Sequence, residues 1–216
     1  MTEQTKFTLY HYWRSSGSWR VRWAMAIKNV PCKFVPIDLL SGESESEAHL
    51  KRNPLGYVPV LEMSAGGGAP IYLAESVAII EWLEETIPSP AFLPKNPLER
   101  AQIRQLCQII NSGTQPLQNL GVTEMARDDQ EKRKEWNQHW IRHGFDAYET
   151  IASRTAGKFS FGDTITMADL FLIPQVYSAG RNHVSLDPYP TIKRVHENAS
   201  LTDGFIASEP ERFKPS

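Results

Sequence analysis

The sequence predicts an α/β domain followed by an all-helical one, and three observations carry that reading. Strand and helix signals alternate over residues 1–87. Four prolines (Pro88, Pro90, Pro94 and Pro97) then fall within residues 88–97, which reads as a linker. Across residues 98–216 the periodic segments have helical spacing only. A chain of 216 residues is long enough for two modest domains, each with its own core.

Residues 7–12 form an apolar run and read as the first strand. Residues 19–28 read as an amphipathic helix, with Val21, Met25 and Ile27 inward and Arg20 and Lys28 outward. Arg22 likewise reads as solvated. Asn29-Val30-Pro31 breaks this helix, residues 33–38 form a second strand, and residues 44–52 a short polar helix. Residues 58–63 and 70–73 flank Gly66-Gly67-Gly68 as a hairpin. Residues 76–86 form a helix that buries Ile79, Ile80 and Leu83. The order βαβ-α-ββα implies a thioredoxin-like domain, with helices covering a mixed sheet.

Beyond the linker, residues 98–120 read as one long helix kinked at Pro116, which lacks the interior N–H. Residues 128–155 read as a second, with Trp136, Trp140, Tyr148 and Ile151 on one apolar stripe. Residues 167–180 and 190–198 read as shorter helices, followed by a loose polar tail. In Ile165-Thr166-Met167-Ala168-Asp169-Leu170, an N-cap threonine precedes an acidic residue three positions on, a variant of the capping box with a hydrophobic staple. Asp169 therefore reads as a cap worth ~1 kcal/mol, with no catalytic part.

Composition excludes several functions. With 41% hydrophobic and 22% charged residues, the chain has a globular make-up, and a net charge of −2 gives no attraction to nucleic acid. No apolar run is long enough to span a bilayer, and the polar residues 1–6 do not resemble a signal peptide. Cys32 and Cys107 have neither metal nor redox spacing, which suits a reducing, cytoplasmic compartment. His139 and His143 stand i, i+4, but Trp140-Ile141-Arg142 between them supplies no glutamate for a zinc-protease motif. No metal site is expected. Lys132-Arg133-Lys134 lies between Glu131 and Glu135 and reads as a salt-bridged helix face. His11 reads as a packed strand residue beside the serines.

The chemistry is concentrated in His11-Tyr12-Trp13-Arg14-Ser15-Ser16-Gly17-Ser18-Trp19-Arg20-Val21-Arg22. A strand turning directly into a helix aims N–H groups and the positive dipole end at the turn, and serines add hydroxyl donors. Such a turn suits an anion; read alone, it also suits a polar turn with an N-cap serine. Downstream, Val58-Pro59 is an X-Pro bond open to the cis form, and Glu75-Ser76 starts a helix whose N-terminus suits a carboxylate.

Taken together, Trp13-Arg14-Ser15-Ser16, Val58-Pro59 and Glu75-Ser76 resemble the glutathione transferases, specifically their zeta class, the maleylacetoacetate isomerases. The resemblance extends to Asn53-Pro54, Ala78-Ile79-Ile80-Glu81, Gly162-Asp163 and Ser112-Gly113-Thr114-Gln115-Pro116-Leu117-Gln118-Asn119-Leu120. It implies the glutathione transferase fold, glutathione as cofactor, a cytoplasmic homodimer, and no nucleic-acid or membrane partner. The implied reaction is cis–trans isomerisation of maleylacetoacetate to fumarylacetoacetate in aromatic amino-acid breakdown, by thiolate addition, bond rotation and elimination. Alternatives are a maleylpyruvate isomerase, a general glutathione transferase, or a non-catalytic binding module on the same fold.

By the same resemblance Ser15, Ser16 and Gly17 are the catalytic positions, and Ser15, Val58, Pro59, Glu75, Ser76, Gln115 and Asn119 bind glutathione. Arg14 and Arg181 receive the substrate's carboxylates. The plain alternatives are helix-surface amides for Gln115 and Asn119, and satisfaction of helix C-terminal carbonyls for Arg181. Two departures stand out: Gly17 replaces the class's cysteine, and Glu75 its glutamine. Loss of the cysteine leaves glutathione chemistry intact, because the nucleophile is the cofactor's. Lowering a thiol pKa of ~8.5 by ~2 units takes ~2.7 kcal/mol. A helix N-terminus gives ~0.3–1 kcal/mol, at best ~2, and a hydroxyl bond to a charged acceptor ~1.5–3. Dipole and one hydroxyl together suffice, without a general base.

Overall fold

The computed structural model describes residues 6–64 and 68–215. They divide into two units: the chain up to Pro90 together with the segment from Asp203 onward, and Ala91–Thr202.

In the first unit, β1 (Lys6–His11) leads into α1 (Ser16–Ile27), and β2 (Lys33–Pro36) returns parallel to β1 with Tyr10 opposite Val35. A 3₁₀ turn at Glu43–Glu45 and the short α2 (Glu47–Leu50) replace the single polar helix expected there, because Ser46 caps a fresh start by accepting the His49 N–H. β3 (Val60–Ser64) and β4 (Ile71–Ala74) are antiparallel neighbours, completing a mixed sheet in the order β2-β1-β3-β4. Most of the glycine tip expected between them lies outside the described residues. α3 (Ser76–Thr86) buries Ile79, Ile80 and Leu83 as its spacing requires.

α1 departs most from expectation. Arg20 and Arg22 are each 1% exposed and Lys28 is 6% exposed, so none of the three cations is solvated. The tail expected to be loose forms α9 (Asp203–Ser208), which packs on α1, and a 3₁₀ turn at Pro210–Phe213. A Cβ at Gly204 would come within 2.8 Å of Ile27, so glycine is what lets α9 approach. Trp19 and Trp23 stack edge-on against Phe205, and the Trp19 indole donates to Ser208 Oγ at 3.1 Å. Enclosed cations need acceptors. Lys28 pairs with Glu84 at 3.0 Å and donates to the carbonyls of Ile87 and Pro90 at 2.6 and 2.8 Å.

The second unit is helical. α4 (Pro97–Asn111) ends before Pro116, which opens a 3₁₀ turn at Pro116–Gln118 ahead of α5 (Leu120–Ala126). The expected kinked helix is thus a broken one: Gly113 and Pro116 end it rather than bend it. α6 (Gln130–Ala152) buries Ile141, Gly144, Phe145, Tyr148 and Ala152. Trp136 and Trp140 are only half-buried, and the Trp136 indole donates to the Leu117 carbonyl at 2.8 Å. α7 (Met167–Arg181) is almost wholly buried, and α8 (Pro190–Ser200) packs on it. Its capping box forms: Asp169, fully buried, accepts from the Thr166 N–H at 2.7 Å and the Ser160 N–H at 2.8 Å. Among the described residues no helix is long and apolar enough to cross a membrane.

Candidate functional site

β1 ends at His11, and after a short turn Ser15 caps the start of α1. Its Oγ accepts the Ser18 N–H at 3.2 Å, so the helix begins at residue 16 rather than at residue 19. A hydroxyl has one donor and two acceptor positions, so the cap leaves the Ser15 O–H available as a donor. Ser16 and Gly17 open the helix, where the positive end of its dipole lies. A Cβ built on Gly17 would sit 3.2 Å from Pro59 Cδ, 3.7 Å from the Val58 carbonyl oxygen and 3.8 Å from Ser15 Oγ. The serine turn and Val58-Pro59, distant in sequence, therefore face one another.

The Val58-Pro59 bond is cis. Among the described residues Val58 makes no backbone hydrogen bond, whereas the Tyr57 carbonyl before it accepts from His49 Nε2 at 3.1 Å and Asn53 Nδ2 at 3.0 Å. Both donors are buried, and the carbonyl requires the His49 proton on Nε2. They fix the peptide unit before Val58.

Ser76, 5% exposed, opens α3 and accepts from Arg20 Nη1 at 3.1 Å. Glu75 before it has φ +69° and ψ +116°, a conformation that costs a non-glycine residue ~1–3 kcal/mol and is concentrated at functional sites. Arg14 donates to the Tyr12 hydroxyl at 3.0 Å and lies 4.9 Å from the Trp13 ring centroid. Its Nε is buried, with no hydrogen-bond partner among the described residues. Arg14 lines a cavity of about 610 Å³ with Trp13, Asp38, Phe213 and Lys214. Ser15, Val58 and Ser76 do not line it.

In the second unit Gln115 Nε2 donates to Asn119 Oδ1 at 2.7 Å, so these two amides orient each other. Gln118 between them ties this turn to α7, accepting from Gln175 Nε2 at 3.1 Å and Ser178 Oγ at 2.9 Å. Arg181 is the exposed last residue of α7.

Sequence reasoning missed the supports: Arg20 behind Ser76, His49 behind Val58, and Gln118 between the amides. Asn53 was visible only as part of Asn53-Pro54. His11 is buried with its ring edge-on to Phe34 and Phe213, and burial, then the Arg22 charge, push it down to about 3. It stays neutral at physiological pH and is not an acid–base group for the turn.

Residues 9–91 match the glutathione S-transferase N-terminal domain and residues 117–203 the C-terminal domain of the same family. The chain belongs to the glutathione S-transferase family, and within it to the zeta class. It is 43% identical to the maleylacetoacetate isomerase of Mus musculus over 94% of this chain and 92% of that one. It is 44% identical to probable maleylacetoacetate isomerase 1 of Drosophila melanogaster, over 95% and 82% respectively. Among solved structures, the maleylacetoacetate isomerase of Anaeromyxobacter dehalogenans with glutathione bound superposes with a TM-score of 0.89 at 43% identity, covering 99% of both chains. A zeta-class bacterial maleylpyruvate isomerase superposes with a TM-score of 0.90 at 38% identity, over 97% of this chain and 99% of that one.

Proposed function

We propose that this chain catalyses the glutathione-dependent conversion of maleylacetoacetate to fumarylacetoacetate, a cis-to-trans isomerisation of a conjugated diketo acid. The observation that carries the reading is the Ser15 hydroxyl at the positive end of α1, set against Gly17 and Val58-Pro59. Glutathione, when bound, would supply the thiol nucleophile for a reversible addition to the alkene, and it would be neither consumed nor oxidised.

The residues fit that cofactor. Ser15 donates its O–H to the thiolate while its lone pair keeps the Ser18 N–H, and Ser16 and Gly17 present the dipole end. Val58 pairs with the peptide backbone as an added strand does, with Pro59 fixing the adjoining chain. Ser76 and the N-terminus of α3 take a carboxylate, and Glu75 accepts from the ammonium. On the resemblance alone, Gln115 and Asn119 are proposed for glutathione, and Arg14 and Arg181 for substrate carboxylates, which a guanidinium binds in a bidentate fashion. The proposal includes a cytoplasmic homodimer, with the unit that contains Ser15 binding glutathione and the helical unit Ala91–Thr202 the substrate.

The test is an assay of cis-enone loss from maleylacetoacetate with and without glutathione. Glutathione-dependent turnover without net consumption supports the reading. Glutathione binding without turnover moves the substrate to maleylpyruvate, the shorter homologue whose isomerase is a structural neighbour here, or to a conjugation electrophile. No binding at millimolar glutathione leaves a non-catalytic module.

A further inference from the structure

Arg22 stands nearly two turns into α1, 1% exposed, and its guanidinium is given over almost entirely to backbone. Nη2 donates to the Trp13 carbonyl at 3.0 Å, and Nη1 to the Tyr12 carbonyl at 3.4 Å and to His11 Nδ1 at 3.1 Å. Nε donates to the Ser208 carbonyl at 3.1 Å, and the guanidinium carbon lies 4.6 Å from the Phe213 ring centroid. The Tyr12 carbonyl also accepts the Ser15 N–H at 3.1 Å. One side chain thus holds the two peptide units just before Arg14-Ser15 and, on its other edge, the C-terminal segment.

We propose that Arg22 is a positioning residue for thiol activation, fixing the Tyr12 and Trp13 peptide units so that the Ser15 hydroxyl and the first N–H groups of α1 converge on one point. The C-terminal segment becomes part of that support through Ser208 and Phe213. The inference rests on the reading of Ser15 as the activating group. The groups facing Arg22 are His11 from β1, neutral and accepting, and Glu211 from the C-terminal turn, whose charge opposes the burial that lowers the guanidinium to about 9. Arg22 is therefore charged at neutral pH. Lysine cannot stand in for it, since a single ammonium lacks the planar fork that reaches carbonyls on both edges. Small misplacements of such a site carry large costs in rate.

The experiment is an ultraviolet titration of the thiolate in the binary complex with glutathione, for the wild-type protein, Arg22→Met, Arg22→Lys and Phe213→Ala. The signal reports only folded complex, so lost stability does not move it. In Arg22→Met the bound thiol should titrate about one unit higher, about threefold less thiolate at pH 7 for a thiol that starts about two units below ~8.5, while glutathione affinity stays within about threefold. Arg22→Lys should fall between, and Phe213→Ala should shift the same way by less. A wild-type titration in Arg22→Met overturns the proposal. If that variant does not fold, unshifted titrations in both Arg22→Lys and Phe213→Ala overturn it. A wild-type complex whose thiol titrates like free glutathione removes the Ser15 reading and this inference with it.

Discussion

Replacing Ser15 separates two tasks that one oxygen performs. As an acceptor it caps α1 through the Ser18 N–H at 3.2 Å; as a donor it is assigned the thiolate of glutathione. Ser15→Ala loses both. The cap is worth about 1 kcal/mol, roughly 2–4 °C in Tm for a chain of this size. The hydroxyl bond to a charged acceptor is worth ~1.5–3 kcal/mol, which corresponds to a loss of about 10- to 150-fold in kcat at saturating glutathione. Ser15→Asp separates the terms, because an ionised carboxylate caps a helix but has no proton to donate. It should recover the Tm and leave kcat at or below that of Ser15→Ala. Ser15→Thr keeps both functions and should stay near wild type. The assay is the initial rate of cis-enone loss, with thermal melts on the same samples. A Ser15→Ala enzyme with lowered Tm but kcat within about threefold of wild type would show the serine to be a cap only, and would make Ser16 the candidate donor.

Three further outcomes follow from the same geometry. Asp169→Ala orphans the buried N–H groups of Thr166 and Ser160, so its cost should be ~3–5 kcal/mol rather than the ~1 of an exposed cap, and an unchanged Tm would refute this. His11 has a folded pKa of about 3 against 6.5 unfolded, so between those values the unfolded chain binds the extra proton. Stability should therefore fall as the pH falls from 6.5 toward 3, by up to ~1.4 kcal/mol per unit from this group. Chemical denaturation of His11→Gln should show a shallower acid dependence, the remainder including His196, which is lowered in the same sense. Gly17→Cys places a Cβ 3.2 Å from Pro59 Cδ at a position whose φ is not positive, so a shift of a few tenths of an ångström accommodates it. Its kcat should stay within about an order of magnitude of wild type, and a larger loss would mean that Pro59 cannot give way.

What was legible in the sequence was what closes locally. The Thr166–Asp169 box and the order of strands and helices are each decided by residues a few positions apart. The three elements of the candidate site were also visible, as Ser15, Val58-Pro59 and Glu75-Ser76, because each is a short motif at an element boundary. Their supports were not. Arg20 reaches Ser76, and His49 reaches Tyr57, across turns whose geometry only the folded sheet defines. A missing N–H at Pro116 reads in the sequence as a bend, and that argument does not register that Gly113 has already weakened the helix.

In α1 the sequence does carry a signal of burial on both sides. At about 100° per residue, Trp19 and Trp23 lie on one side of the helix and Val21 and Met25 on nearly the opposite one, with Arg20 and Arg22 on the two flanks between them. A surface helix has one apolar stripe; apolar residues on opposite sides mark a helix enclosed on both. α3 supplies one cover, and α9, arriving almost at the end of the chain, supplies another. Once both sides are covered the flanking arginines cannot reach water, and the acceptors they use include carbonyls at loop ends, the His11 ring and the hydroxyl of Ser76. That the loops so held carry Trp13, Arg14 and Ser15, and that the hydroxyl is one assigned to glutathione, ties the covering of α1 directly to the chemistry at its N-terminus.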